Sequence, residues 1–240
     1  MNPKVLLFGA GGALGAAIAS HLSGEGFSIY TAGTTHWDGA IAHLALGYDD
    51  RCDAATFSSL PDLEAVVWAQ GVNCSDTVES FTPDDLERLL QGNVMFVASS
   101  LQALLTAKKL SAGSRLAVVS SIWQLESRPG KFSYSVSKAA LQGLVKSAAL
   151  DLGPDGILIN AVLPGMFDTD RIKSNFARAA AQQSVSEDQI KTQRMNSIPA
   201  KRLGTAEEFG RIAAFLSSAH AGYITGQNLL VDGGAFRSAF

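Results

Sequence analysis

The stretch Val5-Leu6-Leu7-Phe8-Gly9-Ala10-Gly11-Gly12-Ala13-Leu14-Gly15, continuing into the helical pattern of Ala16 to Leu22, decides the fold. The apolar run reads as a short buried strand, the glycines as a tight turn and the spacing after them as a helix. Strand, glycine turn and helix in that order open a dinucleotide-binding sheet. Without Cβ atoms the turn lets the backbone come close to a pyrophosphate, whose charge is held by free N–H groups at the helix N-terminus. Gly9, Gly11, Gly12, Leu14 and Gly15 are therefore the candidate phosphate contacts. A turn that merely needs positive φ has the same composition, so the rest of the chain must supply the context.

Outward from this unit, strands and helices alternate. Gly26 to Ala32 reads as a second strand. Its tip is where a carboxylate that selects NAD would accept from the ribose 2′-hydroxyl. Gly33 stands there, followed by Thr34, Thr35 and His36, so NADP(H) is favoured over NAD(H), with Asp38 near enough to argue the other way. A third short strand precedes Asp49 to Asp53, where a carboxylate is a candidate acceptor for the adenine amino group, or simply part of an acidic loop in water. Residues 54–60 have room for a brief helix before the strand Leu63 to Trp68. Thr82-Pro83-Asp84-Asp85 is a helix start, with a hydroxyl cap, proline at the first position and carboxylates at the positive end of the dipole. That helix is expected to run to about Lys109 with Asn93 inside its apolar side.

Leu116 to Val119 forms a buried strand that delivers Ser121 to its loop, and the next helix carries Tyr134 and Lys138 four residues apart. That spacing puts both on one face. In an effective dielectric of about 20, an ammonium about 5 Å away favours the phenolate by roughly 3 kcal/mol, which is about two pKa units. The bland reading is a packed ring beside a solvated amine. Ile157 to Val162 is another strand, ending in Pro164-Gly165, and a last one lies between Gly222 and Gly234. Residues 166–197, mixed in character, are expected to form a lid over a substrate. The fold class is α/β: one domain over 1–240 built on a single doubly wound parallel sheet of the Rossmann type with helices on both faces. The glycine turn, Ser121 and Pro164-Gly165 all follow strands and so line one edge.

The composition excludes several classes. A net charge of −3 over 240 residues offers no broad basic surface for nucleic acid. Cys52 and Cys74 lack metal-ligand spacing, so neither a metal nor a disulfide framework is expected. Lys4 to Ala19 has the outline of a secretory signal, but its glycines suit a turn better than a signal helix. With no other long apolar run expected to span a membrane, a cytoplasmic location is the default.

Taken together these residues resemble the short-chain dehydrogenase/reductase family over nearly the whole chain. The matching motifs are Gly9 to Gly15, Trp68-Ala69-Gln70-Gly71, Asn93, Ser121, Tyr134 with Lys138, and Pro164-Gly165 with Thr169; Pro199 to Glu208 and Tyr223 to Gly226 look like the family's C-terminal part. The resemblance implies that Tyr134 exchanges a proton with a carbonyl or alcohol oxygen while hydride passes to or from the nicotinamide. It also implies that Ser121 holds that oxygen, that Lys138 lowers the tyrosine pKa and binds the nicotinamide ribose, and that Asn93 anchors a water relay. Asn160 and Thr169 would help place the nicotinamide end, and Gly71, Pro164 and Gly165 belong to the same cofactor site. Asp50 aligns with the adenine contact, with Asp53 in reserve. Phe8, Ala13, Trp68 and Ala69 depart from the pattern, which leaves the proton-transfer residues intact and alters the setting of the cofactor.

Two substrate classes fit: an oxo-acyl thioester on an acidic carrier protein, for which Lys108, Lys109, Arg128 and Lys131 are available, or a small ketone or alcohol. Asp151 and Asp155 weigh against the carrier, and Trp123, Met166 and Phe176 are the expected pocket walls. The competing class is a catalytically silent NADP(H)-binding sensor, whose expected mark, a lost tyrosine or lysine, is missing. Amphipathic faces on the helices Leu86 to Lys109 and Tyr134 to Leu150 suggest a homotetramer or homodimer, in keeping with the resemblance.

Overall fold

The structure, a computed structural model, describes residues 2–236. Its strands are β1 (Lys4–Phe8), β2 (Ser28–Gly33), β3 (Ala42–Ala45), β4 (Ala65–Trp68), β5 (Arg115–Val119), β6 (Leu158–Pro164) and β7 (Asn228–Val231). They form one sheet in the order β3-β2-β1-β4-β5-β6-β7, with every pair parallel. The chain turns outward in one direction from β1 to β2 and in the other from β1 to β4, and a crevice opens at that reversal beyond the strands' carboxyl ends.

The helices are α1 (Ala13–Gly24), α2 (Pro83–Leu90), α3 (Phe96–Thr106), α4 (Phe132–Leu152), α5 (Asp170–Gln183), α6 (Glu187–Ser197) and α7 (Ala206–Leu216). Alternate strand residues feed two cores, because successive side chains of a strand point to opposite faces. Leu6, Phe8, Val66, Trp68, Leu116 and Val118 meet Phe96, Val97, Leu101 and Leu104 of α3 and Leu141 and Val145 of α4. Val5, Leu7, Val67 and Ala117 meet Ile18 and Leu22 of α1 and Phe209, Ala213 and Leu216 of α7 on the other face. The stretch Lys4 to Ala19, with the outline of a signal, is thus a core strand and its helix.

Three expectations need correction. The helix expected from Pro83 to Lys109 is broken by a π turn over Gln91–Met95, so that α2, the turn and α3 run on as one rod to Thr106. Thr82 caps it as foreseen, accepting from the Asp85 amide at 3.1 Å. This 24-residue rod, Pro83–Thr106, is by length and composition apolar enough to cross a bilayer, contrary to the sequence reading. Half of its most apolar window is nevertheless buried within the fold. Residues 54–60 hold successive turns rather than a helix. Asp53 and Thr56 lock their start, the Thr56 amide donating to Asp53 Oδ1 at 2.9 Å.

Phe8 and Trp68, two of the four departures from the family pattern, prove to be partners. They are opposite residues of β1 and β4, with ring centroids 5.7 Å apart and planes 9° from parallel. Phe57 and Phe96 close on Phe8 edge-on at 6.1 and 5.4 Å. The fully buried Trp68 indole donates to Ser100 Oγ at 2.9 Å, so a new polar tie to α3 accompanies the apolar filling.

Candidate active site

At the carboxyl edge of the sheet lies a cleft of about 940 Å³. One end is built by the glycine turn. Gly9 sits at φ +78, and a Cβ there would stand 2.5 Å from the Gln70 amide nitrogen; at Gly15 it would stand 2.1 Å from the Gly9 carbonyl oxygen. Only glycine lets the turn nest this tightly against β4 and against itself. Gly12 caps α1 with no side chain of its own, so the first amides of the helix are left for a ligand. Gly12, Leu14 and Gly15 line the cleft, and so do Gly71, Pro164, Gly165 and Thr169. Gln70 Oε1 and Ser120 Oγ, on residues that also line the cleft, are buried without a hydrogen-bond partner. A glycine cradle, an uncapped helix start and two orphaned polar atoms fit a dinucleotide.

The same cleft brings Ser121, which follows β5, together with Tyr134 and Lys138 of α4. Ser121 follows β5 and caps a single 3-10 turn, its Oγ accepting from the Trp123 amide at 3.3 Å and keeping its proton to donate elsewhere. Tyr134 and Lys138 stand on the first turns of α4, with Nζ 5.8 Å from the ring centroid. Lys138 is 3% exposed and donates to the Val119 carbonyl at 3.3 Å.

The electrostatics reverse the sequence estimate. Burial, joined by the Arg171 charge, pushes the Lys138 amine down to about 7. Burial also pushes the Tyr134 phenol up, outweighing the Arg171 charge and the Ser121 hydroxyl, which act the other way. The sequence argument placed the pair in a partly solvated setting, whereas Lys138 is buried and Tyr134 half-buried, and the charged form of each is disfavoured.

Trp123, Met166 and Phe176 line the cleft, as expected of pocket walls. Phe176 is at the same time the centre of a small separate core with Ala180 and Ile190, which joins α5 to α6. The segment 166–197 is largely the helices α5 and α6, several of whose residues line the cleft.

Other expected residues lie elsewhere. Gly9 and Gly11 shape the turn from beneath and do not line the cleft. Thr34 is exposed past the end of β2, and the exposed Asp50 accepts from the Gly47 amide of its own loop. Neither lines the cleft. Asn93, 2% exposed in the π turn, spends its amide on the Val72 backbone at 2.8 and 3.0 Å and on Ser137 Oγ at 3.0 Å. It clamps the loop after β4 to α4. Asn160 likewise joins β6 to the chain entering β7, donating to the Ile224 carbonyl at 2.8 Å and accepting from the Gln227 amide at 3.0 Å. Lys109, a candidate for docking a carrier, instead donates to the Ser58 carbonyl at 3.1 Å and to that of Leu60. Sequence reasoning missed Arg171, Arg178 and Arg194, all of which line the cleft. Nothing in their local spacing marks them, since α5 and α6 are placed over the site only by tertiary packing.

Comparison with known proteins agrees with this geometry. A family described as enoyl-(acyl carrier protein) reductase matches residues 50–235. The chain is 32% identical to the NADPH-dependent reductase BacG of Bacillus subtilis over 164 residues, 68% of this chain and 63% of that protein. It is 28% identical to the 3-oxoacyl-[acyl-carrier-protein] reductase FabG of Haemophilus influenzae, covering 99% of this chain and 100% of that one. Among solved structures, a short-chain dehydrogenase/reductase from Serratia marcescens superimposes with a TM-score of 0.79 at 29% identity, covering 97% of each chain. The chain belongs to the short-chain dehydrogenase/reductase family and is an NAD(P)-dependent oxidoreductase.

Proposed function

We propose that this enzyme interconverts a ketone and a secondary alcohol, with Tyr134 carrying the proton. The observation behind this reading is the convergence of Ser121, Tyr134 and Lys138 in the same cleft as the glycine cradle. A nicotinamide dinucleotide, when bound, supplies or receives the hydride. Gly12, Leu14 and Gly15 would hold its pyrophosphate, Lys138 its ribose, and Gly71, Pro164, Gly165 and Thr169 its nicotinamide end. The protonated Tyr134 phenol, whose pKa burial raises, can donate from Oη to a carbonyl oxygen as hydride arrives. The Ser121 hydroxyl, free to donate, holds the same oxygen as charge develops on it. Asn93 acts here by fixing α4, and through it the tyrosine.

NADP(H) is preferred over NAD(H): the end of β2 carries Gly33 and Thr34 where a carboxylate would repel a 2′-phosphate, and the similar BacG is described as NADPH-dependent. The chain works as one domain, with α5 and α6 as its lid. A cytoplasmic location is part of the same reading. Pairing of copies through the long helices, as a homotetramer or homodimer, is supported by Leu150 and Val136 of α4, which are 79% and 40% exposed. The test is hydride transfer, read as NAD(P)H absorbance, with a panel of ketones and both cofactors. We expect turnover with NADPH. Tight dinucleotide binding with no hydride transfer to any carbonyl would overturn the reading in favour of a sensor.

A further inference from the structure

The cleft carries charge that proton transfer does not use. Arg128, Lys131, Arg171, Arg178 and Arg194 line it, in a chain whose net charge is −3. Among the described residues none of these five forms a salt bridge. Arg178 donates to the neutral Asn175 Oδ1 at 2.9 Å, and the Arg128 guanidinium lies 5.2 Å from the Trp123 ring centroid. Lys131 Nζ donates to Asn73 Oδ1 and the Cys74 carbonyl, both at 3.0 Å, and to Ser75 Oγ at 3.3 Å. All three acceptors are uncharged. Burial first, then the charges of Arg128, Arg171 and Arg178, push the Lys131 amine down to about 8.

Among the described residues no carboxylate of the cleft forms a salt bridge with this cluster. Asp76 accepts from the Ser133 amide at 3.0 Å, and Asp170 lies 3.6 Å from Lys173. Glu126 remains, and burial together with the Asp232 charge pushes its carboxyl up. Cations gathered without partners at the edge of a low-dielectric cleft repel one another, so an anion placed among them gains from each. The cluster reaches the reacting end: Lys131 Nζ is 5.3 Å from the Tyr134 ring centroid, and the Arg171 charge acts on both Tyr134 and Lys138.

Resting on the ketone reading above, we propose that the substrate is a small carbonyl compound bearing its own carboxylate or phosphate, gripped by Arg171 and Arg178, with the Lys131 charge behind them, while its carbonyl meets Tyr134. Guanidinium forks match either anion in two parallel hydrogen bonds, and the Arg171 charge already acts on Tyr134. A carrier protein fits less well. Its surface could meet the exposed Arg128, Arg171 and Arg178 but not Lys131, which is 6% exposed, and Phe176 walls the same space.

The test compares kcat/KM for a keto acid, its uncharged methyl ester and a ketone bearing a phosphate, using the parent, Arg171→Gln, Arg178→Gln and, as a control away from the cleft, Lys146→Gln. We expect the parent to prefer the acid or the phosphate over the ester by about ten- to a hundredfold, the range of a charge-assisted hydrogen bond. Whichever anion is preferred identifies the group. Arg171→Gln and Arg178→Gln bring that preference down towards one, mainly through KM, and Lys146→Gln leaves it in place. Equal rates for acid and ester in the parent, or a preference untouched by both arginine changes, overturn the proposal while leaving the ketone reductase reading intact. Turnover of carrier-bound acyl thioesters alone also overturns it. Hydride transfer to no carbonyl at all sinks the ketone reading itself.

Discussion

Replacing Lys138 with methionine should stabilise the cofactor-free protein near neutral pH and abolish one component of its pH dependence. Lys138 is 3% exposed, its one hydrogen-bond acceptor is a carbonyl at 3.3 Å, and its amine lies at about 7 where an unfolded chain has about 10.5. Between those two values the unfolded chain holds the extra proton, so the lysine makes stability rise with pH, by up to about 1.4 kcal/mol per pH unit. From pH 7 to 9 that amounts to roughly 2 kcal/mol, and below pH 7 the full penalty remains. Lys131, at about 8, adds a rise of the same sign from pH 8 upward. The thiols of Cys52 and Cys74, both pushed up to about 11, oppose it only above pH 9. Urea unfolding at pH 7, 8 and 9, at one protein concentration and ionic strength, should show the stability gap between Lys138→Met and the parent closing by about 2 kcal/mol as pH rises. A gap that stays constant across this range would refute the idea that burial holds the amine uncharged.

The other predictions concern the reacting end, the cradle and the frame. Tyr134→Phe should lower turnover by about 10²- to 10⁴-fold and leave dinucleotide affinity near that of the parent; ketone reduction at the parent rate would end the proton-transfer reading. Gly15→Ala puts a methyl where only 2.1 Å separates it from the Gly9 carbonyl oxygen, so NADPH should no longer quench protein fluorescence, and a parent-like titration would contradict the cradle. Trp68→Phe removes the indole bond to Ser100 and leaves a void under Phe8, costing about 2–3 kcal/mol in urea unfolding; a loss below about 0.5 kcal/mol would show the pairing to be incidental. Thr205→Ala breaks the capping box with Glu208 at the start of α7 and should cost about 1 kcal/mol, with no change in turnover if that helix only supports the sheet.

How far the sequence reaches differs from element to element. The parallel sheet was legible because central strands such as β1 and β5 are buried on both faces and so appear as short unbroken apolar runs, ended at Gly9 and Ser120. The strand tips named in advance, at the glycine turn, Ser121 and Pro164-Gly165, do line one edge, because strand polarity fixes which end each loop occupies. The π turn at Gln91–Met95 was not legible, since leucines continue at helical spacing on both sides; it is a packing decision, with Gly92 set against the Val72 side chain.

The sequence by itself determined which groups can do chemistry here: a phenol and an amine on one helix turn, a serine at a strand end, and a glycine-rich turn. Only the tertiary structure decided their charge states, because desolvation depends on how many atoms from distant segments surround a group, and here it exceeds the attraction that the i, i+4 spacing suggested. Only the tertiary structure, too, gathered Arg171, Arg178 and Arg194 with Arg128 and Lys131 around one cleft. The sequence separates those cations by up to sixty-six positions, and only the docking of α5 and α6 over the sheet edge closes that distance.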